Sequence, residues 1–191
     1  ITAAALTNSA HGTVVITNNK LDFTPATNWF GTEVINYTMI DGHNGSADGK
    51  LTVTVDSVND LPVYTTEPID LELTEDGADG TMNIVVDDVE TAKDALAVTV
   101  TASTNPTLIA TSDVTVAAGT NGTRTITVNP KLDQNGTATI TLLLKDADGG
   151  EVTKQFKVTV AAVNDAPVGI DKTLNISEDA ALQTVDQLIL V

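Results

Sequence analysis

The sequence contains no cysteine, so neither disulfides nor thiolate-bound metal can stabilise it. Aromatic residues make up only 3% of the chain, and any core must therefore be built from Val, Ile, Leu and Ala. Basic residues are scarce: 9 Lys and Arg stand against 26 Asp and Glu, a formal net charge of −17. A chain so acidic repels phosphate backbones and anionic bilayers, which argues against nucleic acid as a partner. There is no run of about 18 apolar residues, so no membrane insertion by a helix is expected. No signal peptide is visible; the chain starts and stops in mid-pattern and reads as an excised fragment, so this absence carries no information about secretion. No Gly-x-Ser-x-Gly elbow and no phosphate loop occur. The two histidines, His11 and His43, look isolated and lack a cysteine to join them in a zinc site. The expectation is a chain that is not an enzyme.

What is present is strand composition. Apolar residues reach 41%, enough to build a core, and Thr alternates with Val or Ile in short runs. The chain also repeats itself. Residues 51–63 read LTVTVDSVNDLPV and residues 156–168 read FKVTVAAVNDAPV, with Asn59 and Asn164 standing 105 positions apart. The same offset joins Pro25 to Pro130, Gly31 to Gly136, Asp41 to Asp146 and Pro62 to Pro167. A second echo, DLELTEDG at 70–77 and TLNISEDA at 173–180, runs at an offset of 103. The chain thus divides into the C-terminal part of one repeat (1–61), a complete repeat (62–166) and the N-terminal strands of a further one (167–191).

Within the complete repeat, alternation predicts seven strands: A at 69–74, B at 81–86, C at 95–102, D at 112–117, E at 123–129, F at 137–145 and G at 152–160. Asp76-Gly77, Asn121-Gly122, Asn135-Gly136 and Asp148-Gly149-Gly150 punctuate them, and Asn121-Gly122 fits a type I′ turn. Seven short strands in about 100 residues is the count for a Greek-key, Ig-like β-sandwich. The fold class is all-β.

Strand direction then sorts the acids into two clusters. The end facing the preceding repeat collects Asp87, Asp88 and Glu90 from the loop after B, Asp146 and Asp148 from the loop after F, and Asn59 and Asp60 from the incoming linker. The other end collects Glu75, Asp76 and Asp133 with Asn164 and Asp165 of the outgoing linker. At an effective dielectric near 20, two carboxylates about 5 Å apart repel by roughly 3 kcal/mol. Solvation, protonation or a bound cation must relieve that, and hard oxygen ligands in sixes to eights suit Ca²⁺. The same residues are also turn formers, and Asn59-Asp60-Leu61-Pro62 has an alternative reading as a mere linker turn; its recurrence with convergent acids favours metal binding.

These motifs carry a resemblance. Asp56-Ser57-Val58-Asn59-Asp60 and Val163-Asn164-Asp165-Ala166-Pro167 resemble the linkers of bacterial cadherin-like and Ig-like tandem repeats of large surface adhesins, including biofilm and RTX-type adhesins. Lys131-Leu132-Asp133-Gln134 resembles the Leu-Asp-Arg-Glu element of cadherins, with only Leu-Asp kept, and Asp87-Asp88 resembles their Asp-x-Asp pair. The resemblance covers nearly the whole chain. It implies calcium at the junctions, an extracellular or bacterial cell-surface setting, and neighbouring repeats of the same chain as partners. Three departures stand out. Ala161 replaces the acid found at Asp56, Asn28 stands where the next repeat has Asp133, and no GGxGxD array is present.

The expected function is a calcium-stiffened extender or adhesion repeat. The alternatives are a carbohydrate- or peptide-binding module, meeting a host or microbial surface glycan or protein through Trp29-Phe30 or the Gly-rich stretch 41–49, and a non-catalytic accessory module of a secreted enzyme. The preferred reading of Trp29 and Phe30 is packing beneath the turn between strands E and F, in a chain otherwise short of aromatics. Strand exchange between chains is a further expectation, since residues 170–191 resemble the A and B strands that 1–61 lacks.

Overall fold

The computed structural model describes residues 2–6, 9–18 and 20–166, and beyond them positions 169, 171, 173, 175, 177–179 and 181. The expected strands at 170–191, and with them the strand-exchange reading, fall outside the described residues.

Residues 62–166 form a sandwich of two four-stranded sheets. One has the order β10 (Val114–Ala118), β11 (Thr123–Val128), β8 (Gly80–Asp87), β6 (Val63–Thr66). The other runs β7 (Leu71–Thr74), β13 (Glu151–Ala161), β12 (Gly136–Lys145), β9 (Ala97–Ser103). Strict alternation creates the two inner faces: Ile84 and Val86 of β8 and Ile126 and Val128 of β11 meet Ile140, Leu142 and Leu144 of β12 and Phe156, Val158 and Val160 of β13, all buried. Thr, Lys and Gln fill many of the outward positions.

Strands B to G lie where alternation predicts them, within two residues. Asn121 and Gly122 both take positive φ, 54° and 78°, and Thr123 N–H donates to the Thr120 carbonyl at 3.1 Å, as a type I′ turn requires. Strand A differs from expectation. It is split: β6 pairs antiparallel with β8, Glu67-Pro68 interrupts, and β7 pairs parallel with β13 in the opposite sheet. Pro68 has no N–H to give a ladder, so the chain changes sheets there.

The preceding repeat contributes a sheet of β1 (Thr2–Leu6), β4 (Gly31–Ile40) and β5 (Ser46–Val55), with a hairpin of β2 (Gly12–Thr17) and β3 (Lys20–Pro25). Its geometry repeats the later copy. Gly31 faces Val55 as Gly136 faces Val160, and φ is 135° and 128° at the two glycines. Asn28 and Asp133 share a left-handed backbone, φ 58° and 55°. The stretch 41–49, expected as a loop, is one only to Gly45. β5 begins at Ser46, and Gly49 lies across from Tyr37, whose ring occupies the space a Cβ would need.

Candidate metal centre

The lower end of the complete repeat brings three carboxylates together. Oxygens of Asp76, Asp133 and Asp165 all lie within 4.8 Å of one another and are exposed; no other such trio occurs among the described residues. Two of the three sit on left-handed backbone, Asp76 at φ 57° and Asp133 at φ 55°, a conformation that Asp tolerates in turns. The Asp133 N–H donates to Asp76 Oδ1 at 3.2 Å, locking one turn to the other. Desolvation pushes the Asp165 carboxyl above its ordinary range, and the charges of Asp133, Asp76 and Glu75 push it the same way.

Glu75, expected here as a ligand, has another task. It is only 4% exposed. Its Oε1 accepts from Val163 N–H at 2.8 Å and its Oε2 from the Asn135 amide at 3.0 Å. The side chain therefore ties the outgoing linker and the β11–β12 connection to the sandwich, holding Asp165 near Asp133. Asn164 turns its amide to the Asp165 carbonyl at 3.1 Å. Asp76, rather than Glu75, completes the trio; its place before Gly77 marks it in the sequence only as a turn residue.

At the upper end the acids are spread over three segments joined by hydrogen bonds. Asp146 is 6% exposed; its Oδ1 accepts from Gly150 N–H at 2.7 Å and its Oδ2 from the Asn59 amide at 3.1 Å. Desolvation pushes its carboxyl up, but the bonds from Asn59 and from the backbone of Gly150, Gly149 and Asp148 outweigh it and hold the group below the usual range. A Cβ at position 150 would collide with the Asp146 carboxylate, so glycine permits this fold-back. Asp60 N–H donates to Glu90 at 3.0 Å.

Asp88 Oδ1 caps its own loop, accepting from Glu90 N–H at 3.0 Å and Thr91 N–H at 2.6 Å. Its other oxygen, Oδ2, is buried without a partner. Asp87 turns to Lys93 at 2.7 Å, and that ammonium holds its carboxyl below the usual range. Asp148 is exposed at the hairpin tip. The loop that carries Asp87, Asp88 and Glu90 is anchored by Arg124, a core-facing residue of β11 that is 3% exposed. Its guanidinium donates to the carbonyls of Lys93 (3.1 Å), Asp94 (3.3 Å), Leu96 (2.7 Å) and Thr123 (2.9 Å).

The histidines are not both isolated. His43 sits in the exposed β4–β5 turn. His11 Nδ1 lies 2.8 Å from Oε2 of Glu33, whose Oε1 accepts from Ala10 N–H at 3.0 Å. The His11 ring stacks on Trp29 at 4.6 Å and 9°. The His11 hydrogen bond lowers the Glu33 carboxyl against the opposing pull of desolvation. Nothing in the local sequence joins residues so far apart.

The fold and its junction loops define an Ig-like, cadherin-like β-sandwich repeat. Two stretches, residues 1–54 and 59–159, match the profile of the Bacterial Ig domain family, and the chain belongs to that family. No curated protein matches it in sequence. Among solved structures it is similar to a protocadherin gammaB7 EC3-6 cis-dimer structure, with 17% identity over 87% of this chain and 41% of that one, at a TM-score of 0.58. It is also similar to human mucin-like protocadherin EC1-2, with 15% identity over 85% and 83%, at a TM-score of 0.54. An endo-fucoidan hydrolase of glycoside hydrolase family 107 aligns with 22% identity over 83% of this chain at a TM-score of 0.42; the chain spans about a quarter (24%) of that enzyme's length. Among the described residues no helix is long and apolar enough to cross a membrane.

Proposed function

We propose that this chain is a non-catalytic, calcium-stiffened extender segment of a large bacterial surface or secreted adhesin. The observation that carries the reading is the convergence of Asp76, Asp133 and Asp165 where the outgoing linker meets the repeat. The donors fit the ion: carboxylate oxygens are hard ligands of the kind calcium collects. The Asp165 carboxyl is raised first by desolvation and then by the charges of Asp133, Asp76 and Glu75, and a divalent cation would relieve the part that comes from those charges. Asp76, Asp133 and Asp165 would hold the ion at the lower junction, with Glu75 and Asn164 fixing the linker around them. At the upper junction Asp88, through its partnerless Oδ2, and Asp146, Asn59 and Asp60 are the candidates. An ion bound across a linker adds contacts between successive repeats and so limits their bending. Membership of the Bacterial Ig domain family and the cadherin-like fold support an extracellular setting.

The test is thermal unfolding and small-angle scattering with calcium and with excess EGTA. At a hundred times the dissociation constant, one site adds about 2.7 kcal/mol, or roughly 10–20 °C in Tm for a domain of this size. The expected result is that rise together with a longer, stiffer particle. Asp133→Asn is expected to remove the lower site's share and Asp88→Asn the upper one's. An unchanged Tm and scattering profile on adding calcium would refute the proposal.

A further inference from the structure

The turns at Asn28 and Asp133 share one backbone plan and differ in the side chains they carry. The offset of 105 aligns Asn28, Trp29 and Phe30 with Asp133, Gln134 and Asn135. Where the lower junction gathers carboxylates, the upper one has an amide and two aromatic rings, in a chain with one Trp and three Phe. Asn28, Trp29 and Phe30 line a cleft of about 260 Å³ together with Asp56, Asp60 and Glu90. Phe30 is 42% exposed, and Trp29 is half-buried.

Trp29 is also held in place by groups that have no counterpart in the complete repeat. His11 lies flat against it at 4.6 Å, and Glu33 fixes His11 at 2.8 Å. Glu33 stands on β4 where β12 has the buried Ala138. A charged group at a core-facing position is costly unless paired, and here it supports an aromatic ring at the edge of a cleft.

We infer that this cleft between the two repeats binds a neutral pyranose ring, as a free sugar or as one residue of a glycan. Aromatic rings at a cleft suit the C–H face of a pyranose; one face of Trp29 is covered by His11, which leaves its other face and Phe30 for that contact. The carboxylates of Asp56, Asp60 and Glu90 accept hydroxyl hydrogens, and Asn28 can both donate and accept. The volume lies just under the roughly 300–1,000 Å³ of drug-sized pockets, which limits the occupant to about one ring. The three carboxylates repel sulfated and uronic sugars and so select neutral ones. The cleft shares Asp60 with the candidate upper calcium site, so sugar binding is tested in EGTA, where no ion competes for that carboxylate.

The chain's sole tryptophan is the reporter. The full chain is titrated in EGTA with the methyl glycosides of glucose, galactose, mannose and N-acetylglucosamine, each to about 20 mM, some twenty times a Kd of 1 mM, with sorbitol as an acyclic control. The expected result is a saturable change in Trp29 emission with at least one glycoside and none with sorbitol. Phe30→Ala, at an exposed position, is expected to weaken binding about three- to tenfold, and Asp79→Asn, exposed in the β7–β8 turn at the other end of the complete repeat, to leave it unchanged. No saturable response to any glycoside, an equal response to sorbitol, or indifference to Phe30→Ala would each overturn the inference. A failed calcium response in the EGTA comparison above would leave it standing.

Discussion

Arg124 offers the sharpest test of how the complete repeat is held together. It occupies a core-facing position on β11, in line with Ile126 and Val128, yet its partners are main-chain carbonyls and no carboxylate. Arg124→Met keeps much of the packing volume and removes the donors. The Leu96 carbonyl, bonded at 2.7 Å, is then left buried and unsatisfied, and the Lys93 carbonyl, bonded at 3.1 Å, loses its partner too. Hydrogen bonds to charged groups contribute about 1.5–3 kcal/mol each. Two such losses, set against the relief of no longer burying a guanidinium, come to about 3 kcal/mol. For a domain of about 100 residues that is a fall of roughly 10–20 °C in Tm. Urea and thermal denaturation followed by circular dichroism, in EGTA so that no ion contributes, would measure it. A loss below about 1 kcal/mol would refute the argument. In calcium the same variant should also bind the ion more weakly at the upper junction, because the loop carrying Asp88 and Glu90 has lost its anchor.

Gly150→Ala should displace the Asp146 carboxylate from Asn59, since the new methyl takes its place; calcium titration by calorimetry should show weaker binding at the upper junction. Asp165→Asn should stabilise the chain in EGTA at pH 7 and abolish ion binding at the lower junction. The sign follows from its raised carboxyl: the folded chain holds that proton more tightly than the unfolded one, so ionisation subtracts stability as pH climbs through the raised value. Asp146 acts oppositely, adding stability above the ordinary carboxylate range that is lost as pH falls through its lowered value; an acid titration of Asp146→Asn against the parent chain, monitored by circular dichroism, should show this. Glu33→Gln should loosen the His11–Trp29 stack and shift Trp29 emission to the red, with little change in unfolding of the complete repeat.

The strands of the complete repeat were legible because Val, Ile, Leu and Thr alternate with period two and because Asn-Gly and Asp-Gly pairs mark their ends. The split of strand A was less so: Pro68 gives the break, but only the tertiary pairing of β7 with β13 shows that the chain crosses to the other sheet. Leu108 and Ile109, both buried, lie in an irregular connection without periodicity. Their place in the core depends on backbone hydrogen bonds to Asn105 and Lys131. Strand direction correctly sorted the acids to the two ends of the sandwich. It could not say which carboxylates converge, because that depends on left-handed backbone at Asp76 and Asp133 and on Glu75 turning inward to hold the linker. At the upper end, local N–H groups and Lys93 compete for the carboxylates, so proximity along the strands did not become convergence.

The sheet switch of the first strand has a mechanical consequence. Linkers leave the repeat beside β6 and β13, and a pull on the two ends drags β7 and β13 in opposite directions along a parallel ladder. Its pairs, Leu71 with Val158 through Thr74 with Ala161, are then sheared together and cannot be unzipped one at a time. Glu75 lengthens that clamp at its far end, through its own N–H to the Ala161 carbonyl at 3.0 Å and its carboxylate to Val163 N–H. Tension on a string of such repeats would be borne by this short clasp together with the pairing of β6 to β8.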